Sequence, residues 1–230
     1  MRLSIIMPVL NEEAGIAAAL AALSGLRARG AEVIVVDGAS RDRTAELARP
    51  LCDRLMVAPR GRASQMNAGA GAARGEVLMF LHADTRLPEN ADRLVLDGLD
   101  HSRRAWGRFD VRIDGRHPAL PMIAAMMNLR SRLTGIATGD QAIFVRVAAF
   151  AATGGYPDIA LMEDIVLSRR LKKLSAPLCL AAKALTSGRR WEKYGVMRTV
   201  LTMWRLRLAF FFGAEPAELA ARYGYVPRQS

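Results

Sequence analysis

The chain has 230 residues, enough to bury a full core yet near the size that one core serves, so a single compact domain over 1–230 is expected. Its 51% hydrophobic content, with 33 Lys+Arg against 22 Asp+Glu for a net +11, excludes a disordered polymer and a multi-pass membrane protein. Four of the basic residues are lysine and the rest arginine, whose planar fork of donors suits phosphate oxygens, anionic headgroups or nucleic acid; an arginine-favouring genome is the competing explanation.

From the amino terminus, Leu3–Leu10 is too brief for a signal-peptide core and lacks a cleavage site, so it reads as a strand and the expected location is the cytoplasm. Strand candidates Leu3–Pro8, Val33–Asp37, Leu55–Ala58 and Val77–Leu81 alternate with helical patterns at Ile16–Leu26, Thr44–Leu51 and Ala63–Ala73. That order, βαβαβαβ, predicts a parallel sheet covered on both faces, a nucleotide-binding half over 1–87. Over 88–192 the pattern turns mixed: a helix at Glu89–Leu99, a strand at Trp106–Ile113, a helix at Leu120–Leu133, a strand at Ala142–Arg146, a turn at Gly154–Pro157 and a helix at Asp164–Leu174. The Met122, Met126 and Met127 stripe reads as core packing. Cys52 and Cys179 lack metal-site or disulfide spacing and read as buried thiols in a reducing compartment.

The tail, 193–230, holds the apolar stretch Val196–Gly213, interrupted by Arg198, Arg205 and Arg207. It is too charged to span a bilayer. Arg198, Thr202 and Arg205 share a stripe with Arg207 almost opposite, so two readings stand: a docked core helix, or a surface helix touching the inner face of the membrane.

In open α/β sheets, ligands bind beyond the carboxyl ends of the strands. Here the first strand runs into Asn11, Glu12 and Glu13, the second ends on Asp37, and the fourth runs into His82, Ala83 and Asp84. Each has a plain alternative: Asn11 as a helix cap with Glu12 and Glu13 in the first turn, Asp37-Gly38 as a simple turn, Asp42 as an N-cap. Their coincidence on one edge favours a site. Gly69, Gly71 and Gly75 are wrongly spaced for a dinucleotide fingerprint and precede a strand, and no P-loop is present.

The segments SIIMPVLNEE, VIVVDGASRDRT, GRASQMNAGAGAARGEVLMFLHADT, GDQAIFVR, GGYPD and LMEDIVLSRRLKK resemble, in order, the successive motifs of family 2 glycosyltransferases, from Leu3 to about Trp191. The resemblance implies the GT-A fold, a Rossmann-like mostly parallel sheet flanked by helices with a mixed α+β acceptor half. LHADT, GRFDVR, LTGIATGDQ and SGRRW are similar, more narrowly, to a bacterial subgroup associated with arsenosugar biosynthesis and radical-SAM gene neighbourhoods.

By motif, the resemblance implies that Pro8, Asn11, Glu12, Asn67 and Ala83 line the pocket of a nucleoside-diphosphate sugar, with Asp37 at the base or ribose. It implies a divalent metal, Mg2+ or Mn2+, at Asp84, the last acidic residue of the family's Asp-x-Asp element. His82 replaces the first acid, and either joins the metal or contacts the ribose; one carboxylate with donor phosphates and water can still hold Mg2+. Asp164, beside Glu163, matches the family's base, although alone it reads as a helix N-cap. Direct displacement by a base-activated hydroxyl implies inversion. Arg60, Arg62 and Arg190 before Trp191 are candidates to stabilise the departing diphosphate. Asp140 and Gln141 correspond to the acceptor side, Asp140 also fitting a buried hydrogen-bonding role. The acceptor is a small metabolite or a lipid phosphate.

Two rivals have less support. A nucleic-acid-binding module would want stacking aromatics, which are 6% here, and clustered rather than dispersed arginines, so no nucleic-acid partner is expected. A sugar-phosphate nucleotidyltransferase would want a glycine-rich amino-terminal loop with Arg and Lys, which the sequence lacks.

Overall fold

The computed structural model describes residues 1–225. Strands β1 (Leu3–Val9), β2 (Glu32–Asp37), β3 (Arg54–Val57) and β4 (Val77–Phe80) are separated by α1 (Ile16–Ala21), α2 (Ser24–Ala28), α3 (Thr44–Ala48) and α4 (Arg62–Ala72). These four strands are mutually parallel, in spatial order β3-β2-β1-β4. Alternation decides which way each side chain goes. Ile5, Met7, Val33, Val35, Val77 and Met79 enter a core beneath α1 and α2, whereas Ile6, Ile34, Val36, Leu78 and Phe80 enter a second core beneath α4. Both faces are thus apolar, as in sheets covered on both sides. Burying each such side chain is worth about 1.5–3 kcal/mol.

The second half contributes β5 (Thr85–Arg86), α5 (Ala91–Ser102), β6 (Trp106–Asp114), α6 (Leu120–Thr134), β7 (Phe144–Arg146), α7 (Val147–Ala152), α8 (Glu163–Leu171), β8 (Leu178–Ser187), α9 (Arg189–Tyr194), α10 (Val196–Phe211) and α11 (Pro216–Tyr223). The sheet continues β4-β7-β6-β8-β5. β7 is antiparallel to β4 and β6, β8 runs parallel to β6, and β5 returns antiparallel to β8.

Several expectations are corrected. The helix expected over Ile16–Leu26 is broken into α1 and α2 at Ala22 and Leu23, where Ser24-Gly25 lowers helix propensity. Met122 and Met126 are exposed, not core, because α6 turns Leu120, Ile123 and Ala124 inward instead. Cys52 and Cys179 are only half-buried. Gly69 sits where a side chain would meet Ile6 and Val36 at 2.5 and 3.0 Å, so it sets the approach of α4 to the sheet.

Candidate active site

The loops after β1 and β2 are stitched together by their own polar groups. The Asn11 N–H donates to Ser40 Oγ (2.9 Å), the Glu12 N–H to Thr44 Oγ1 (2.8 Å) and the Glu13 N–H to Asp42 Oδ2 (3.1 Å). In return the Arg41 N–H donates to Asn11 Oδ1 (2.9 Å) and the Arg43 N–H to Glu13 Oε2 (3.1 Å). Asn11 therefore caps no helix; it clamps the neighbouring loop. Asp37 is buried and accepts from the Ser40 N–H and hydroxyl, holding the floor of that loop. Gln65 of α4 donates to the carbonyls of Val9 (2.8 Å) and Val36 (2.7 Å), tying the ends of β1 and β2. Pro8 is half-buried beside Val36 in the register. The result is a cavity of about 370 Å3 lined by Leu10, Asn11, Gly38, Ala39, Arg41 and Arg60.

Next to it stands a cluster of acids. Arg189, at the start of α9, reaches Asp84 Oδ2 (3.6 Å) and Glu12 Oε2 (3.9 Å). Burial raises the Glu12 pKa, opposed by Arg189 and reinforced by Asp84. Past Asp84, His82 Nδ1 lies 3.6 Å from Asp140 Oδ1. A side chain at Gly139 would strike the His82 ring at 2.3 Å. Asp140 is held below its ordinary pKa because His82 and Arg62 outweigh the burial that raises it.

Glu163 and Asp164 open α8, where the helix dipole favours acids. Asp164 Oδ2 accepts from the Gly139 N–H (3.0 Å) and Oδ1 from the Ile165 N–H (2.7 Å). Burial nonetheless raises its pKa, against those two donors. Glu163 is pushed up to about 7, chiefly by burial and then by Asp164. Arg62, exposed at the start of α4, is the common neighbour: desolvation lowers its pKa, and Glu163, Tyr223 and Asp140 more than offset that. Its influence extends to Glu12, which also feels Asp84, so Glu12, Asp84, Asp140 and the two acids of α8 share one cleft. Met162, not Asp164, occupies the N-cap position of α8, which corrects the cap reading.

Backbone strain gathers at the same place. Among the described residues five non-glycine residues have a left-handed φ, and four lie in the segments that carry the cleft residues: Asn11 (53°), Ala39 (65°), Ala142 (46°) and Met162 (71°). Such conformations cost energy and persist where the surroundings impose them, commonly at functional sites. Ala39, Ala142 and Met162 carry no sequence signal for it, since only Asn and Gly favour that region.

Other expected contacts point elsewhere. Asn67 has both ends of its amide on the Tyr156 backbone (2.8 and 2.9 Å), so it fixes the turn ahead of Glu163 instead of facing the cleft. Ala83 packs on the core. Gln141 is buried, its Oε1 accepting from the Thr138 N–H (3.2 Å). Trp191 packs on the apolar cluster of α6 and α10. The Arg190 guanidinium lies 3.5 Å from the Tyr223 ring centroid and donates to the Tyr223 carbonyl (2.8 Å), bringing the end of α11 over the cleft. Consecutive helical residues diverge by about 100°, which is why Arg189 reaches the acids and Arg190 does not. Half-buried Arg130 stands near Asp164, which opposes the burial-driven fall of its pKa.

No three His, Cys, Asp or Glu side chains converge as a metal cage among the described residues. Asp84 is one partly exposed carboxylate, and His82 faces Asp140 instead. That donor set fits a hard divalent ion only when phosphate oxygens and water complete the shell.

A family model described as glycosyl transferase family 2 matches residues 4–154. S. aureus TarS, solved in complex with UDP-GlcNAc, aligns with a TM-score of 0.66 at 21% identity, covering 81% of this chain and 58% of that one. The mannosyltransferase PcManGT from Pyrobaculum calidifontis, in complex with GDP-Man and Mn2+, gives 0.65 at 19% identity, over 98% and 66%. Glucosyl-3-phosphoglycerate synthase from Mycobacterium tuberculosis, in complex with Mn2+, UDP and glucosyl-3-phosphoglycerate, gives 0.59 at 19% identity, over 98% and 81%. These likenesses show the fold, a GT-A-like Rossmann arrangement with a mixed sheet flanked by helices. The chain spans less than two thirds of the TarS chain, 58% of it. A search of curated proteins finds no match.

Proposed function

The chain belongs to glycosyl transferase family 2, and from that membership and the cleft we propose that it moves a sugar from a nucleoside-diphosphate sugar to an acceptor hydroxyl or phosphate, inverting the anomeric carbon. The observation that carries this reading is Asp164, a half-buried carboxylate held by two backbone N–H groups in a cleft shared with Arg62, Asp140 and His82. The nucleoside enters the cavity beside Asn11, Arg41 and Arg60, above the loop that Asp37 braces. The diphosphate lies toward Arg62 and Arg189. Asp164 takes the acceptor proton as the acceptor oxygen bonds the anomeric carbon and the bond to the diphosphate breaks on the opposite face. Glu163, raised to about 7 by burial and by Asp164, is about half protonated at neutrality, and the two backbone donors that favour the charged form of Asp164 make it the base.

Asp84 would hold a divalent ion, Mg2+ or Mn2+, jointly with the donor, and the ion would neutralise charge on the leaving diphosphate. The ligands bound in the related structures, UDP-GlcNAc and GDP-Man with Mn2+, support a donor of that class. For the acceptor, likeness to the arsenosugar-associated subgroup supports a small metabolite. The arginine-bearing α10 supports a lipid phosphate met by peripheral contact at the inner membrane face.

Thermal unfolding with a panel of nucleotide sugars, with and without Mn2+, tests the donor reading. One class is expected to stabilise the chain, by about 2.7 kcal/mol at a hundredfold excess over Kd, and Asp84→Ala to lose the Mn2+-dependent part. A panel in which no nucleotide sugar shifts the midpoint would overturn it.

A further inference from the structure

Two helices carry apolar side chains on their outer faces. On α10, Met197, Leu201, Trp204, Leu208 and Phe211 are exposed, Trp204 to 68%, and at about 100° per residue they fall in a stripe about 80° wide. The docked face, marked by Thr199 and Leu206, lies on the other side. α6 repeats the pattern: Met122, Met126, Leu129 and Leu133, the last 78% exposed, form a stripe about 60° wide. The inner sides of the two helices meet in one cluster through Ile123, Met127, Val196 and Val200, so the stripes face outward on neighbouring helices.

A helix docked on a soluble protein turns polar residues to water, and exposed apolar patches of this extent mark partner or membrane contact. Charge selects between those occupants. Neither α6 nor α10 contains an acidic residue. On α10 the same helical projection puts Arg198 and Arg205 along one flank of the stripe and Arg207 along the other, where their stems can lie on apolar surface while the guanidiniums reach phosphates. Two copies meeting through this face would bring arginine against arginine, a mutual repulsion.

We infer that the α6–α10 face is a docking surface for a bilayer containing anionic lipid, with Leu133, Trp204, Leu208 and Phe211 in the acyl boundary and Arg198, Arg205 and Arg207 among the headgroups. This deepens the peripheral contact in the reading above, and it needs no turnover to be measured. No helix among the described residues is long and apolar enough to cross the membrane, so the contact is lateral. The face also borders the cleft in sequence: α6 ends just before Gly139, and α10 follows the helix that carries Arg189.

The test is co-sedimentation of the full chain with vesicles of phosphatidylcholine alone or mixed with phosphatidylglycerol. Binding is expected to the mixed vesicles, to weaken with salt, and to fall about tenfold or more in Trp204→Glu with Leu208→Glu, and separately in Leu129→Glu with Leu133→Glu. Fluorescence of Trp204 should be quenched by brominated lipid, the signal missing in Trp204→Phe. Donor-induced stabilisation without vesicles should persist in every variant, which separates loss of docking from loss of fold or of the donor site. Binding unchanged by the glutamates, no binding to either vesicle, or a solution dimer that the glutamates dissolve would each overturn the proposal.

Discussion

Asp164 and Glu163 are neighbours whose surroundings push them toward different tasks. Asp164 accepts two backbone N–H groups, which favour its charge; at Glu163 burial and the Asp164 charge outweigh the groups that favour its ionised form, and its pKa rises from 4.5 to about 7. A carboxyl whose folded pKa lies above its unfolded one favours the protonated fold, so its contribution is complete below about pH 4.5 and is lost as pH climbs through about 7. Glu163→Gln should remove up to roughly 3 kcal/mol of that pH dependence. Urea unfolding at acid and at mildly alkaline pH checks this: the variant's advantage should appear only on the alkaline side, and parallel pH profiles would contradict it. At this scale the sequence was informative about residue types and weak on direction. The acids were legible because their motifs sit at strand ends. Arg189 was not separable from Arg190 in SGRRW, since only helix phase tells which guanidinium reaches Glu12 and Asp84.

Among elements, the paired loops after β1 and β2 form the end of the cleft proposed to take the nucleoside, and Asn11 is their joint. It combines a left-handed backbone with a hydrogen bond to the Arg41 N–H. Asn11→Gly keeps the backbone and loses the bond, while Asn11→Ala loses both, so Ala should be the more destabilising by about 1 kcal/mol. Both should weaken donor binding. Chemical denaturation alongside donor titration measures it, and equal stability of the two variants would contradict the role of φ. The alternating strands of the first half were readable because period-two burial on two faces leaves few alternatives. β8 was not, because LCLAAKALTS has the Ala and Leu of a helix former and becomes a strand only through its partner β6. The α6 stripe misled for a related reason: methionines at helical spacing look the same whether they face the core or face outward.

At the scale of the whole molecule, parallel strands deliver Glu12, Asp37 and Asp84 to one edge, and the mixed half folds Asp140 and Asp164 back to it. The +11 charge is used in two places: arginines in the cleft among carboxylates, and arginines beside the outward stripes of α10. Order along the chain and the strand-end rule made the first of these visible without coordinates. The second required knowing which side of each helix the core had already taken. The central claim, that this cleft holds a donor for attack by an acceptor deprotonated at Asp164, is met most directly by Asp164→Asn. Calorimetric titration with the donor identified by thermal unfolding, paired with a transfer assay, should show donor affinity unchanged within about twofold and transfer reduced about 10²–10⁴-fold. Full transfer by Asp164→Asn would contradict it.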